Sequence, residues 1–530
     1  NKIVKDIIVR SHQMAGFDAS YLPGWDCHGL PIEWKVEEEF RGKNRGKDDV
    51  PGDEFRAACR AYAEKWVEIQ GREFRALGIE GEWDNPYLTM KFESEATIVA
   101  EFLRMAMQGA LVRGAKPIMW SPVERTALAE AEVEYYDRKV PVIWVKFPVT
   151  GTAEFISSQQ DNSGASPLDA LADASVVIWT TTPWTIPANQ AVSFSPEIAY
   201  GLYTVDAVMS EEELGFAPYA KAGEKLIISD DLAQAVMDGA KVSAFTRVSD
   251  VDPTGWTLKH PLSGMDAFFD KPIPMLSGGH VTADAGTGFV HTAPAHGEDD
   301  FNVWVESGRT TQDIRQIVDA DGCYTPDVPR FAGMDIIRTS GKKRGEPGKA
   351  NNEVIAALAE SGNLLARGIT TIRDAHSWRS KAPVIRRATP QWFISMDKSG
   401  PNGKSLRENA LAAIDATEFF PATGRNRLRS MVEGRPDWLI SRQRNWGVPI
   451  TIFVDKSGQP HTAALPADTA KALNETIKAA IAKGGVEAWF DTPKETFLSA
   501  HGINAADWDK VTDVLDVWFD SGTTHAFALR

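Results

Sequence analysis

The spacing of apolar residues predicts a long helix in the first part of the chain. Apolar side chains recur at alternating intervals of four and three from Phe55 to Ile69, which places them on one stripe of a helix. The Pro-Gly-Asp sequence at 51–53 supplies a start signal. We therefore expect a helix over residues 53–77 that turns one face to a core, and a second helix over residues 95–108.

The pattern changes near residue 140, where short β-type runs replace the helical periodicity. Such runs stand at 142–149, 176–182 and 225–229 and are separated by Gly, Pro, Ser and Asp clusters. Alternation of helix and strand returns after about residue 368. The pattern predicts an α/β fold in which two α/β segments, residues 1–140 and 369–530, flank a β-rich insertion, residues 141–368.

Length and composition favour a multidomain protein of the reducing cytoplasm. A chain of 530 residues is too long for one hydrophobic core. Its apolar runs stay shorter than the roughly 18 residues of a membrane span, and its first residues do not read as a secretory signal. Three cysteines, widely separated and odd in number, disfavour a disulfide framework. We expect a cytoplasmic location and no membrane partner.

The net charge of −16 disfavours a protein that coats nucleic acid. A local basic surface on an acidic body remains compatible with it. Six arginines lie between Arg425 and Arg444. They are interpreted either as such a surface or as an ordinary solvated charged face.

Two motifs, at opposite ends of the chain, resemble core motifs of isoleucyl-tRNA synthetases of the bacterial type. GWDCHGLPIE at 24–33 matches one residue by residue, and DVLDVWFDSG at 513–522 matches the other. The resemblance implies that Asp26 binds the amino group of isoleucine and that Trp518 forms a wall of the isoleucine side-chain pocket. Without that context, Asp26 is read as a turn residue and Trp518 as a core aromatic.

Two further motifs resemble the editing domain of the same family. They are TTTPWTIPAN at 180–189 and GTGFVHTAPAHGEDD at 286–300. The resemblance implies a hydrolytic pocket in which Asp300 anchors the ammonium of a misplaced amino acid. The residues implied to line that pocket are Thr180, Thr181, Thr182, Thr185 and His291. Taken alone, a run of threonines is most often strand-forming sequence.

The resemblance also implies the architecture and the reaction. The fold is expected to be a Rossmann-like parallel-sheet catalytic core, split by a large β-rich editing (CP1) domain. The expected activity is ATP-dependent activation of isoleucine and its transfer to isoleucine tRNA, with hydrolysis of mischarged valyl-tRNA by a positioned water. ATP with Mg²⁺, isoleucine and isoleucine tRNA are the implied cofactors and partners, and a monomer is expected.

The ends of the chain suggest an internal fragment. The HIGH-type and KMSKS-type motifs and the anticodon-binding domain of the family are missing from the sequence, so we expect the fragment to keep editing and to lack activation. One alternative is a free-standing hydrolase that clears mischarged tRNA in trans. Another is a non-catalytic tRNA-binding module.

The sequence departs from the pattern at one kind of metal site. Some relatives bind zinc through two Cys-x-x-Cys pairs around the insertion, but here the matching positions hold Ser121 with Glu124, and Ser377 with Ser380. Serine is not a usual zinc ligand. No zinc is expected in this chain.

Overall fold

The structure, a computed structural model, describes residues 1–45, 49–151, 171 and 173–528. The chain forms two compact units: the first combines Asn1–Gly114 with Pro390–Arg530, and the second is Ala115–Thr389. The second unit thus interrupts the first along the chain. The boundaries predicted at 140/141 and 368/369 fall within two strands of the second unit, and the division into functional domains stays a prediction.

The described residues form helices and strands along the whole chain. The helices are α1 (Lys2–Met14), α2 (Leu30–Gly42), α3 (Gly52–Ala76), α4 (Phe92–Met107), α5 (Glu211–Leu214), α6 (Ala233–Gly239), α7 (Glu298–Glu306), α8 (Ala350–Glu360), α9 (Leu406–Ala416), α10 (Thr423–Glu433), α11 (His461–Ala464), α12 (Ala467–Gly484), α13 (Glu487–Asp491), α14 (Lys494–Ser499), α15 (Val517–Gly522) and α16 (His525–Ala528). The strands are β1 (Gly24–Trp25), β2 (Tyr87–Leu88), β3 (Leu111–Ser121), β4 (Thr126–Leu128), β5 (Val133–Gly151), β6 (Ala174–Thr180), β7 (Ala191–Phe194), β8 (Tyr200–Val208), β9 (Lys225–Ser229), β10 (Val242–Val251), β11 (Thr257–Lys259), β12 (Pro272–Ser277), β13 (Phe289–Thr292), β14 (Leu364–Ser377), β15 (Ile385–Ile394), β16 (Trp438–Leu439), β17 (Ser441–Arg442), β18 (Phe453–Asp455), β19 (Trp508–Lys510) and β20 (Val514–Leu515).

Helix α3 confirms the longest helix predicted from the sequence. It begins after Pro51, whose fixed φ suits a helix start, and acidic side chains in its first turn favour the positive end of the helix dipole. Phe55 and Cys59 of the apolar stripe are buried. Trp66, expected on the same face, is 40% exposed, so only the first half of the stripe faces the core.

The core of the first unit is built mainly by helix packing. Helix α4 packs on α12, and Ile98 and Phe102 of the first helix and Ile477 of the second are fully buried. Phe453 and Trp489 join this cluster, with ring centroids 4.9 Å apart. Burying a side chain of this size stabilises the fold by about 1.5–3 kcal/mol.

Short strands lie in or directly beside the two motifs of the first unit. Strands β1 and β2 pair in parallel, with Gly24 opposite Tyr87, and β1 ends directly before Asp26. Strand β17 pairs antiparallel with β20, which leads into α15. Strands β18 and β19 form a further antiparallel pair. Together with the large mixed sheet of the second unit, this arrangement confirms the predicted α/β class.

The second unit contains a ten-stranded mixed sheet. Its strand order is β10-β8-β9-β6-β5-β11-β12-β7-β13, and β14 pairs with β5. The pairs β6–β9 and β7–β12 are parallel, whereas β5 runs antiparallel to both β6 and β14. The buried Val177, Leu226 and Val236 form a core between the sheet and α6.

No helix among the described residues is long and apolar enough to cross a membrane. Among the described residues, the three cysteines are not joined in disulfides: Cys27 and Cys59 are buried, and Cys323 is partly exposed.

Candidate functional site

The threonine run stands where β6 passes into a 3₁₀ helix, Pro183–Ala188, in the second unit. Pro183 at the first helical position ends the strand, because its ring fixes φ and it has no N–H for the ladder. The Thr182 backbone N–H donates to Thr180 Oγ1 at 3.1 Å, and Thr185 Oγ1 donates to the Thr182 carbonyl at 2.9 Å. The turn therefore holds these hydroxyls in one chain, with Thr182 Oγ1 lying 3.1 Å from Thr180 Oγ1 and 3.3 Å from Thr185 Oγ1.

His291 on β13 extends this hydrogen-bond chain into the interior. Asn189 Nδ2 donates to His291 Nδ1 at 2.7 Å, so Nδ1 is the acceptor and the proton sits on Nε2. His291 Nε2 lies 2.9 Å from Thr185 Oγ1 and donates to it. Burial lowers the pKa of His291 to about 3, with the neighbouring His260 and His296 adding to the effect. His291 is thus a neutral donor that orients Thr185.

A cavity of about 280 Å³ opens beside the threonine run. Thr181, Thr182 and Thr185 line it, whereas Thr180 and His291 belong to the hydrogen-bonded layer next to them. Within the described residues, the Thr181 hydroxyl has no hydrogen-bond partner. The structure therefore brings five of the six predicted editing residues together and leaves one hydroxyl available at the cavity.

Asp300 occupies a different position from the other predicted editing residues. It lies in the first turn of α7, is partly exposed and does not line the cavity. Its Oδ2 accepts a hydrogen bond from the Ala293 backbone N–H at 2.8 Å. Burial raises the pKa of Asp300 to about 6, although that hydrogen bond acts in the opposite direction. Its role as an ammonium ligand stays a prediction.

Sequence reasoning missed several residues of this site. Asn189 and His296 stand inside the two editing motifs, so their positions could have drawn notice. Asn189 is fully buried and sets the His291 tautomer. His296 lines the cavity, and its ring centroid lies 4.9 Å from that of Trp184. Asn351 lines it too and accepts the Trp184 backbone N–H at 3.0 Å. No local signal marks Asn351, since it comes from α8.

The second predicted site lies in the first unit. Asp26 is exposed at the turn after β1, and its Oδ2 accepts a hydrogen bond from Ser521 Oγ at 2.8 Å. Trp518 lies one turn before Ser521 on α15 and is 58% exposed. The alternative interpretation of Trp518 as a core aromatic is therefore wrong, because the indole faces outward from a helix.

A buried charged cluster lies next to this site. His28 Nδ1 donates to Asp520 Oδ2 at 2.7 Å, and Nε2 donates to Glu95 Oε1 at 3.3 Å. Burial alone would lower the pKa of His28, but the two carboxylates outweigh it and raise the pKa to about 9. Arg60 supplies a second cation, 2.8 Å from Glu95. The cluster thus favours the protonated form of His28.

The four positions matched to zinc-binding cysteine pairs meet in a hydrogen-bonded cluster. Glu124 Oε1 accepts from Ser377 Oγ at 2.5 Å and from the Ser380 backbone N–H at 3.1 Å. Ser121 Oγ accepts from the Glu124 backbone N–H at 3.2 Å. In the described part of the chain, no group of three or more His, Cys, Asp and Glu side chains is placed to hold a metal ion. The absence of zinc stays a prediction.

The predicted basic surface is smaller than the sequence suggested. Arg442 forms a buried ion pair with Asp516 at 3.0 Å, and Arg444 forms one with Glu33 at 3.0 Å. Both arginines pack in the interior because paired carboxylates compensate their charge. The exposed arginines of the cluster include Arg425 and Arg427 of α10, Thr423–Glu433.

Comparisons with known proteins match the chain over its whole length. A model of the tRNA synthetases class I (I, L, M and V) matches residues 1–530. A protein named isoleucine–tRNA ligase from Caulobacter vibrioides is 54% identical over 532 residues, covering 100% of this chain and 52% of the relative. Proteins of the same name from Mesorhizobium japonicum and Brucella abortus are 48% and 49% identical, again over 100% of this chain and over 54% and 53% of their own lengths. The chain spans about half the length of the curated relatives it matches.

Solved structures give a much weaker likeness. The ternary complex of Agrobacterium radiobacter LeuRS with tRNA and LeuAMS covers 98% of this chain and 51% of its own, at 14% identity and a TM-score of 0.31. A likeness at this level carries no functional information.

Proposed function

The chain belongs to the class I tRNA synthetases of the I, L, M and V group, and from that premise we propose that it is part of an isoleucine–tRNA ligase. The protein would activate isoleucine with ATP, transfer it to isoleucine tRNA, and hydrolyse mischarged valyl-tRNA in the second unit. The observation that carries the proposal is the likeness to proteins named isoleucine–tRNA ligase along all of this chain, 54% identical for the Caulobacter protein.

The geometry around Asp26 supports an amino-acid site in the first unit. An exposed carboxylate can hold an ammonium by charge-assisted hydrogen bonds. The Ser521–Asp26 hydrogen bond places α15, which carries Trp518, beside that carboxylate. An indole offers a rigid apolar wall against which a branched side chain can pack. Asp26 would therefore recognise the ammonium, and Trp518 the side chain.

A ligase for isoleucine needs a second site to reject valine. Valine lacks one methylene, and an apolar pocket distinguishes a methylene by only about 1–3 kcal/mol, a magnitude for which the isoleucine enzymes of this class are themselves the standard example. A separate hydrolytic site that admits valine and excludes isoleucine multiplies the discrimination. We assign that role to the cavity beside the threonine run.

The arrangement at this cavity favours a positioned water over a covalent nucleophile. His291 is neutral, and its Nε2–H is engaged by Thr185, so it is not set to take a proton from a threonine hydroxyl. Thr181 and Thr182 present hydroxyls to the cavity and can orient a water or a ribose hydroxyl. Asp300, ionised above its raised pKa of about 6, would hold the ammonium of the aminoacyl group.

The polynucleotide partner we propose is isoleucine tRNA. With a net charge of −16, the protein needs a local basic surface to meet phosphates. Helix α10 supplies exposed Arg425 and Arg427, with no ion pair to a carboxylate among the described residues. ATP with Mg²⁺ is the co-substrate expected for activation, and no residue of this chain is assigned to it.

The test of the ligase assignment is isoleucine activation by the longer protein that carries this chain. Asp26→Asn should lower kcat/KM for isoleucine about 10- to 100-fold, because a neutral amide loses the charge-assisted contact with the ammonium. Asp18→Asn, an exposed aspartate of the same segment, is the matched control and should leave kcat/KM unchanged. ATP–pyrophosphate exchange measures both, and an unaltered kcat/KM in Asp26→Asn would refute the assignment.

A further inference from the structure

Two neighbouring contacts join the Asp26 turn to α15 in the first unit. On the exposed side, Ser521 Oγ donates to Asp26 Oδ2 at 2.8 Å. On the buried side, His28 Nδ1 donates to Asp520 Oδ2 at 2.7 Å. His28 follows Asp26 by two residues, and Asp520 directly precedes Ser521. The same two short segments are therefore joined twice.

The buried contact is the stronger of the two. His28 and Asp520 are 4% and 1% exposed, and Glu95, the second acceptor of His28, is fully buried. A charge-assisted hydrogen bond in such surroundings is much stronger than one in water. Arg60, 2.8 Å from Glu95, balances the second carboxylate. This cluster fixes where α15 lies with respect to the Asp26 turn.

The exposed contact has a different consequence. Asp26 is exposed, and a carboxylate on a surface turn rotates freely unless one oxygen is held. With Oδ2 engaged by Ser521, Oδ1 remains to accept from a ligand ammonium. Ser521 shares α15 with Trp518, so one short helix carries both the group that orients Asp26 and the indole wall.

We propose that Ser521 is a positioning residue for amino-acid binding: its hydroxyl sets the Asp26 carboxylate toward the substrate ammonium, on a helix that the His28–Asp520 contact holds in place. The inference rests on the proposed function, because it takes Asp26 as the ammonium ligand. It adds that recognition of the ammonium depends on a residue of α15 as well as on the turn after β1.

Ser521→Ala and Ser521→Thr separate a positioning role from a structural one. Equilibrium dialysis on the 530-residue chain, and KM and kcat in ATP–pyrophosphate exchange by the longer protein, give the readouts. Ser521→Ala should weaken isoleucine binding about tenfold, mainly through KM, as loss of one charge-assisted hydrogen bond predicts. Ser521→Thr keeps the hydroxyl and should restore affinity. Ser499→Ala, on the exposed surface of α14, is the control.

Two further ligands test which part of the substrate loses its contact in Ser521→Ala. Valine carries the same ammonium, so Ser521→Ala should weaken valine and isoleucine by the same factor. The analogue 3-methylpentanoate lacks the ammonium and should bind wild type and variant equally. A change in the isoleucine-to-valine ratio would mean that the substitution disturbs the Trp518 wall, which overturns the inference.

The outcomes also separate this inference from the proposed function. If neither the wild-type chain nor the longer protein binds isoleucine, the proposed function fails. If wild type binds, Asp26→Asn does not, and Ser521→Ala binds as wild type does, the ligase assignment stands and the role of Ser521 is refuted.

Discussion

His291 and Asp300 come from the same motif but differ in charge at neutral pH. Burial drives both away from ionisation: it lowers the pKa of His291 to about 3 and raises the pKa of Asp300 to about 6. His291 therefore stays neutral, while Asp300 is ionised above about pH 6. At the scale of the residue, the proposed editing reaction depends on one carboxylate that titrates in an accessible range.

Asp300 predicts the pH dependence of valyl-tRNA hydrolysis. Below about pH 6 the carboxyl is protonated and can no longer pair with an ammonium, so the deacylation rate should fall about tenfold between pH 7 and pH 5. Asp300→Asn should be slow at every pH and show no inflection near 6. Deacylation rates from pH 5 to 8, corrected for spontaneous ester hydrolysis, provide the measurement.

The neighbouring Asp299 is the matched control for this profile. It is exposed in the same turn of α7, and Asp299→Asn should keep the wild-type inflection. An inflection that persists in Asp300→Asn would assign the titration to another group. The contribution of Asp300 to folding stability depends on pH in the opposite direction to the deacylation rate. A raised carboxyl pKa favours the folded state at low pH, and this contribution is lost as pH rises from about 4 to 6.

Sequence motifs predicted the neighbourhoods of these residues better than their contacts. The threonines and His291 do meet, because the motifs that carry them lie on β6 and β13 of one unit. The direction of the His291 hydrogen bonds could not be read from the sequence, since it depends on Asn189 Nδ2. The hydrogen bond from the Ala293 N–H to Asp300 Oδ2 was equally hidden, because no residue pattern shows which backbone N–H a side chain reaches.

At the scale of elements, periodicity predicted α3 and α4 but neither α12 nor the ends of the strands. Helix α3 was expected at 53–77 and lies at Gly52–Ala76. The boundary expected at 140/141 falls inside β5, because this strand runs from Val133 to Gly151 and pairs with β14 along most of its length. A change in local composition therefore does not coincide with the end of a strand.

Paired charges explain why the basic cluster was overestimated. Arg442 and Arg444 follow no periodic pattern that would mark them as buried, and their partners Asp516 and Glu33 lie far away in sequence. Only the folded chain shows that these charges neutralise one another. The number of arginines in a segment is therefore an upper limit to the number that a binding surface can present.

The Glu124 cluster joins two turns of the second unit and predicts a loss of stability on truncation. Glu124→Ala removes the carboxylate that accepts from the buried Ser377 hydroxyl and from the Ser380 N–H, which should cost about 2–4 kcal/mol of unfolding free energy. Glu124→Gln keeps an oxygen at that position and should lose less. Urea denaturation monitored by tryptophan fluorescence measures the difference.

Glu130→Ala provides the comparison, since this exposed glutamate stands six residues further along the chain. The midpoint of Glu130→Ala unfolding should lie at the same urea concentration as that of the wild type. Equal midpoints for Glu124→Ala and Glu130→Ala would show that the hydrogen-bonded cluster contributes nothing to the fold.

At the scale of the whole molecule, the proposed chemistry is divided between two compact units. Asp26, Ser521 and Trp518 belong to the first unit, and the threonine-lined cavity belongs to the second. Each unit has its own buried core, so a substitution at one site need not disturb the other. Synthesis and correction are thus proposed for separate parts of one chain.

Selective hydrolysis is the decisive measurement for this proposed division. Isoleucine tRNA is charged separately with valine and with isoleucine, and deacylation of each is followed with this chain and with the full-length ligase of which we propose it is a part. We expect valyl-tRNA to be hydrolysed at least about tenfold faster than isoleucyl-tRNA, because the proposed editing site would admit valine and reject the larger isoleucine side chain. Equal rates for the two esters, or no hydrolysis of valyl-tRNA by either protein, would contradict the proposal.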